Sequence, residues 1–216
     1  MKKFSLDERI KHKFQELLNP ITGKYRQSRL NNTDFTIISN NCWAGICYEY
    51  YGLPKLSPTV GLYFFADEYI KFISDLEKSI NTNLEFIDIS ESKYSKELIR
   101  RKQQNIPIGI LNDIEIVFLH YKNKEVAKEK WARRVDRMNW DNLIYKFSYM
   151  NECTNNHIHQ FENVCSKRGG KHFEFVPHKF IEYKNAFVVE AEADGQIGND
   201  TFYWNRYFDV EAFLNE

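Results

Sequence analysis

Apolar and polar positions along this chain recur in two periods, near 3.6 and near 2, and the switches between them divide it into elements. Ile10, Phe14, Leu17 and Leu18 share one helical face behind Ser5 and Glu8, which have the spacing of a capping box. A helix is therefore predicted over residues 4–19, ending near Asn19-Pro20. Phe35 to Ser39 is a short apolar run of strand type, and Ala44 to Tyr51 reads as a helix stopped by Gly52-Leu53-Pro54. Asp67 to Ile80 carries Tyr69, Ile70, Phe72, Ile73, Leu76 and Ile80 at helical spacing. Leu84 to Ile89 alternates as a strand, Tyr94 to Gln104 is a charged helix, and Ile114 to Tyr121 is a strand beyond the Pro107-Ile108-Gly109 turn. Lys124 to Met138 is a helix with Val126, Ala127, Trp131, Val135 and Met138 inward. The remaining predicted elements are strands over Leu143–Tyr149, Phe173–Val176 and Ala186–Glu192, a helix over Thr154–Cys165 and an amphipathic helix over residues 203–214. Ser57 to Phe65 fits either a helix capped by Ser57-Pro58 or a strand through Leu62–Phe65.

Strands alternating with helices predict an α/β fold of three layers, a mostly parallel sheet flanked by helices. The 216 residues fit one domain, residues 1–216, with its core at about 30–200.

Composition narrows the function classes. Thirty basic residues balance thirty acidic ones, so no broad attraction to nucleic acid or anionic lipid is expected, which leaves only local patches. Aromatic residues make up 16% of the chain, enough for a densely packed core or a stacking surface. The charged N-terminus has no apolar core of signal-peptide type, and no stretch approaches the roughly 20 apolar residues of a membrane span. A cytoplasmic protein with reduced thiols is expected, and the four cysteines include no C-x-x-C pair.

Candidate chemistry begins at Ser39-Asn40-Asn41-Cys42-Trp43, where the first strand becomes a helix. Ligands of open α/β sheets bind beyond the carboxyl ends of strands, where helix N-termini present unpaired N–H groups. Asn40, Asn41 and Trp43 are candidate ligand-binding residues there. A thiol at a helix N-terminus has its thiolate favoured, which makes Cys42 a candidate nucleophile. The alternative is that Cys42 is a small buried apolar group and the asparagines shape a turn.

In Asn112-Asp113-Ile114-Glu115 and onward, alternation puts His120 on the face of Ile114, Ile116 and Phe118, opposite Asp113 and Glu115. At the strand's end, His120 is the candidate base for Cys42. Glu115 in mid-strand needs a partner, and Asp113 near the turn is either a base or simply solvated. On the next helix Lys130, Arg133, Arg134 and Arg137 lie away from Trp131 and Val135. They form either a phosphate-binding face or a solvated one paired with Glu129 and Asp136. Trp140 follows as a candidate stacking residue. In Cys153 to Cys165 a single helix aims His157 and His159 about 200° apart, so no metal site is expected.

Four ordered stretches, Ser39–Gly45, Gly52–Thr59, Pro107–Tyr121 and Glu129–Asn142, resemble the bacterial family catalogued as domain of unknown function 1919. The resemblance covers about residues 30–200. Members are often labelled as exopolysaccharide biosynthesis proteins or acyltransferases, and the family's fold looks α/β. The resemblance thus implies an intracellular step in making or decorating a surface glycan, but it carries over no catalytic residues.

The leading expectation is a transferase, foremost an acyltransferase, acting on a sugar or glycan intermediate. Cys42 is its nucleophile and His120 its base, with a coenzyme A thioester donor held through Arg133, Arg134 or Arg137. A glycosyl-transfer version uses Asp113 or Glu115 as base, although no D-x-D pair is present. The alternatives are a cysteine-dependent hydrolase and a non-catalytic glycan-binding protein that uses Trp43, Trp140 and other aromatics.

Overall fold

The computed structural model describes residues 6–216, with the side chains of residues 6–9, 11, 12, 15, 202 and 203 left aside. Four strands, β1 (Thr36–Ser39), β5 (Leu143–Ser148), β6 (Lys171–Val176) and β7 (Ala186–Val188), form a sheet in the order β1-β5-β6-β7. All three pairings in it are parallel. One face packs Ile38, Tyr145 and Phe147 against α3 (Ala66–Ser74), α4 (Leu76–Asn81), α6 (Lys124–Val135) and α7 (Asn155–Arg168). The other packs Ile37, Ile144, Phe173 and Phe175 against α2 (Trp43–Tyr50) and α8 (Val210–Asn215). The fold is thus the expected α/β arrangement, with a parallel sheet between helical layers.

A second sheet was not anticipated. The strands β2 (Glu85–Ile87), β3 (Ile108–Leu111) and β4 (Ile114–Val117) pair antiparallel in the order β2-β3-β4. This sheet has its own small core, where Ile108 and Val117 meet Leu98 of α5 (Ser95–Arg100). The predicted face of Ile114, Ile116 and Phe118 does turn into the main core. The strand ends at Val117, however, so His120 lies in a turn beyond it.

Residues 61–64, whose element type the sequence leaves open, join the two sheets. After a turn over residues 58–61 the chain extends, and its successive peptide groups face opposite ways. On one side Gly61 O accepts from His120 N (3.0 Å), and Tyr63 N and O bond Val117 (2.9 and 3.0 Å). On the other side Phe64 N donates to Asn40 O (3.0 Å).

Several element limits differ from expectation. The residue 67–80 helix is broken at Asp75 (φ −136°), whose carboxylate caps α4 by accepting from Lys78 N. The C-terminal helix predicted over 203–214 is a 3-10 turn, Asp200–Tyr203, followed by α8. The final strand stops at Val188. The first helix, α1 (Leu6–Gln27), runs through Pro20 rather than ending there. Proline removes only the one helical bond from its own nitrogen, and the helix continues on either side of it. The predicted cap Ser5 lies outside the described residues. Among the described residues no helix is long and apolar enough to cross a membrane.

Candidate functional site

At the carboxyl ends of β1 and β5 the fold gathers a buried polar cluster. Lys146 and Ser148 are two residues apart on β5 and so share a face. Lys146 lies beside Ser39 in the parallel register, and both Lys146 and Ser148 are wholly buried. Lys146 Nζ donates to Asn41 Oδ1 (2.9 Å), Ser148 Oγ (2.5 Å) and Asp200 Oδ2 (2.5 Å). Three donors meet three acceptors, the complement of an ammonium group. Ser148 Oγ in turn donates to Asp200 Oδ2, and Asn41 Nδ2 donates to Asp200 Oδ1 (2.7 Å). Burial pushes the Lys146 ammonium down from its ordinary range, and the Asp200 charge opposes that shift.

Asp200 reaches this cluster from the 3-10 turn near the C-terminus. Trp43 pins that segment by donating from Nε1 to Trp204 O (3.0 Å), with the two rings 5.8 Å apart. Asn40 clips β1 to β5: its amide donates to Ser148 O and its carbonyl accepts from Ser148 N, both at 3.0 Å. The corner residues predicted to bind ligand therefore hold the corner together. Trp43 is core rather than a stacking surface.

Cys42 is the N-cap residue of α2 and is half-buried, whereas Cys47, Cys153 and Cys165 are buried. Its Sγ points to Leu62 O (3.7 Å). Burial pushes the thiol up to about 12, Asp200 adds to the rise and Lys146 opposes it. The expectation of a favoured thiolate is thus corrected. The helix terminus does not outweigh desolvation and a neighbouring carboxylate, and the first N–H of α2, that of Trp43, already donates to Asn41 Oδ1 (3.1 Å).

Residues 13–213 match the family model described as a domain of unknown function, DUF1919. The chain belongs to that family. A Haemophilus influenzae protein described as uncharacterized is 26% identical over 208 residues, spanning 91% of this chain and 93% of that one.

In this DUF1919 chain no hydrogen bond joins His120 to Cys42 among the described residues. Cys42 bonds the Leu62 carbonyl on one side of the 61–64 segment, and His120 bonds Gly61 on the other. The His120 side chain is exposed.

Glu115 is buried and has the partners its position demands. It accepts from Ser92 Oγ (2.6 Å) and Lys93 N (2.9 Å), and its own N–H donates to the buried Glu68 (2.7 Å). Asp113 is exposed and bonded to Lys71 (2.8 Å), which holds its carboxyl below the usual range.

Arg134 does not lie on the exposed basic face. It is buried, and its Nη1 donates to Val60 O (2.8 Å) and to the Tyr121 hydroxyl, which itself donates to Val60 O (2.6 Å). Arg133 and Arg137 are exposed, and Arg133 lies 3.4 Å from Glu129. Replacing Arg134 by alanine should lower stability by about 2 kcal/mol, since a charged donor to a buried carbonyl is lost. Arg133→Ala should change it by less than ~0.5 kcal/mol, and urea unfolding midpoints would separate the two.

Trp140 is 41% exposed, in a groove of about 700 Å³ with Glu77, Asn81 and Asp141 at the opposite, N-terminal end of β5. His157 serves a helix end, accepting at Nδ1 from Thr154 N (2.9 Å) and meeting Asp67 through Nε2 (2.7 Å).

Proposed function

We propose that the protein transfers an acyl group to a sugar or glycan intermediate of surface polysaccharide synthesis, with Cys42 attacking and Asp200 receiving its proton. The observation that carries this reading is the setting of Cys42, the least buried of the four thiols and next in the chain to Asn41, whose side chain bonds both members of the buried Lys146–Asp200 pair. With its thiol protonated at rest, Cys42 acts as a serine does in hydrolases, by losing its proton as it attacks rather than beforehand.

As Sγ bonds the donor's carbonyl carbon, its proton passes to Asp200 and the donor's C–S bond breaks. The departing thiolate takes that proton. A sugar hydroxyl then attacks acyl-Cys42, forming the ester and returning the thiol. Lys146 remains an ammonium throughout, and its charge stabilises the thiolate-like sulfur.

A coenzyme A thioester is the donor we favour. The last turn of α6 reaches Val60 through Arg134, two residues before the Leu62 carbonyl that holds Cys42. Arg133 on that turn and Arg137 just past the helix are the residues left to meet its phosphates, because Arg134 is committed.

Intact-mass analysis after incubation with acetyl-coenzyme A should find one acetyl group on Cys42, absent from Cys42→Ala and formed more slowly by Asp200→Asn. Unchanged acetylation of Cys42→Ala would overturn the assignment. Turnover of the adduct by water alone would make the protein a hydrolase, and glycan binding with no adduct from any acyl donor would make it a binding protein. At rest, Cys42 should react with iodoacetamide at pH 7.5 more than about a hundredfold slower than a free cysteine. Asp200→Asn should speed that reaction, since it removes the charge that opposes the thiolate and leaves Lys146, which favours it.

A further inference from the structure

Helix α1 turns its apolar side away from the protein. At 100° per residue Ile10, Phe14, Leu17, Ile21 and Tyr25 fall within an arc of about 80°. They are 56, 62, 74, 77 and 69% exposed. The stripe runs about 22 Å along the helix.

What attaches α1 lies elsewhere around it and near its C-terminal end. Gly23 packs so closely that a Cβ there would sit 3.0 Å from Gly52 Cα. Arg26 lies 3.8 Å over the Tyr50 ring and donates to Tyr50 O (3.0 Å) and Asn19 Oδ1 (2.8 Å). Single exposed apolar residues are ordinary on a folded protein, but a continuous stripe of large ones marks a surface that is covered in use.

Charge decides what covers it. Residues 1–27 carry seven basic residues against three acidic ones, in a chain whose charges otherwise cancel. The rest of the chain therefore has 23 basic residues against 27 acidic ones. A second copy laid stripe to stripe would bring two basic segments together. An anionic lipid surface complements both properties at once, with the apolar side chains at the acyl boundary and the cations among the headgroups.

We propose that α1 is an interfacial anchor that lies along an anionic membrane surface and holds the rest of the protein against it. This inference is independent of the chemistry assigned to Cys42. It needs no spanning segment, because a helix of this kind lies in the plane of the interface.

The test is co-flotation of the full chain with phosphatidylcholine vesicles, with and without phosphatidylglycerol. Binding should require the anionic lipid and fall with added salt. The double variant Phe14→Glu/Leu17→Glu should bind about tenfold or more weakly. Its far-UV circular dichroism should match that of the parent, because these side chains lie outside the core. Lys11→Gln/Lys13→Gln should weaken binding to anionic vesicles while retaining the apolar stripe. Absence of binding to anionic vesicles, or equal binding by the Phe14/Leu17 variant, would overturn the proposal. So would light scattering that finds a dimer in the parent and a monomer in that variant while neither binds vesicles.

Discussion

Replacing Asp200 by alanine is expected to lower the unfolding free energy by about 3–5 kcal/mol, the range for removing one partner of a buried ion pair. Lys146 has no solvent exposure, so its ammonium cannot exchange the lost carboxylate for water. Two further donors lose their acceptor at the same time, Ser148 Oγ and Asn41 Nδ2. Lys146→Met alone should cost a similar amount by leaving Asp200 charged and unpaired. The double variant Lys146→Met/Asp200→Leu should cost much less than the sum, since a buried pair replaced by apolar groups is often close to neutral. Urea unfolding of the four proteins measures that coupling. Two single variants each costing under ~1 kcal/mol would mean that the cluster opens to water.

The second large effect is a loss of stability on the alkaline side, set by Glu174 in the centre of β6. Its side chain is wholly buried, and no donor group meets its carboxyl oxygens, which face the Glu162 carboxylate instead. Burial first and then the neighbouring Glu162 push its pKa up to about 9. Glu162 keeps the negative charge, since His172 Nε2 lies 3.3 Å from it, and the Cys165 thiol also faces the pair. Glu174 therefore holds its proton in the folded protein, whereas in the unfolded chain it ionises near 4.5. Between those two values the folded state binds more protons than the unfolded one, so stability falls as pH rises and levels off above about 9. Each pKa unit corresponds to about 1.4 kcal/mol, so a loss on the order of 3 kcal/mol is expected between pH 5 and pH 9 after relaxation around the pair. Glu174→Gln cannot ionise and should abolish most of that slope, which denaturant midpoints across the range would detect. A wild-type slope that survives in Glu174→Gln would place the titrating group elsewhere.

The sequence made some of this legible and hid the rest for identifiable reasons. The strand-to-helix corner at Asn40, Asn41 and Cys42 was readable because an apolar run gives way there to turn-forming residues and then to helical spacing. Its partners were not. Lys146 sits between Tyr145 and Phe147, where alternation marks a polar step without saying that the step faces inward. Its position in an otherwise aromatic strand was the one available signal. Asp200 lies in a stretch with no period at all, and only the tertiary fold carries it to β5. At His120 the converse holds: alternation in the sequence continues past Val117, where the strand ends. Periodicity also identified α1 as amphipathic, yet it cannot say which side meets the body. Spacing alone puts Arg134 on the solvent side, where a charge is ordinarily found, but Val60 O and the Tyr121 hydroxyl supply the partners that permit its burial.

The two-sided backbone of residues 61–64 fixes how the molecule must assemble. If this peptide slipped by one residue, every group now serving Val117 and His120 would turn toward Asn40 and Cys42, and the reverse, so both sheets would lose their partners together. A shift of this one segment therefore cannot serve one sheet without costing the other its bonds to it. The Cys42 corner is thus built at the seam that the two sheets share.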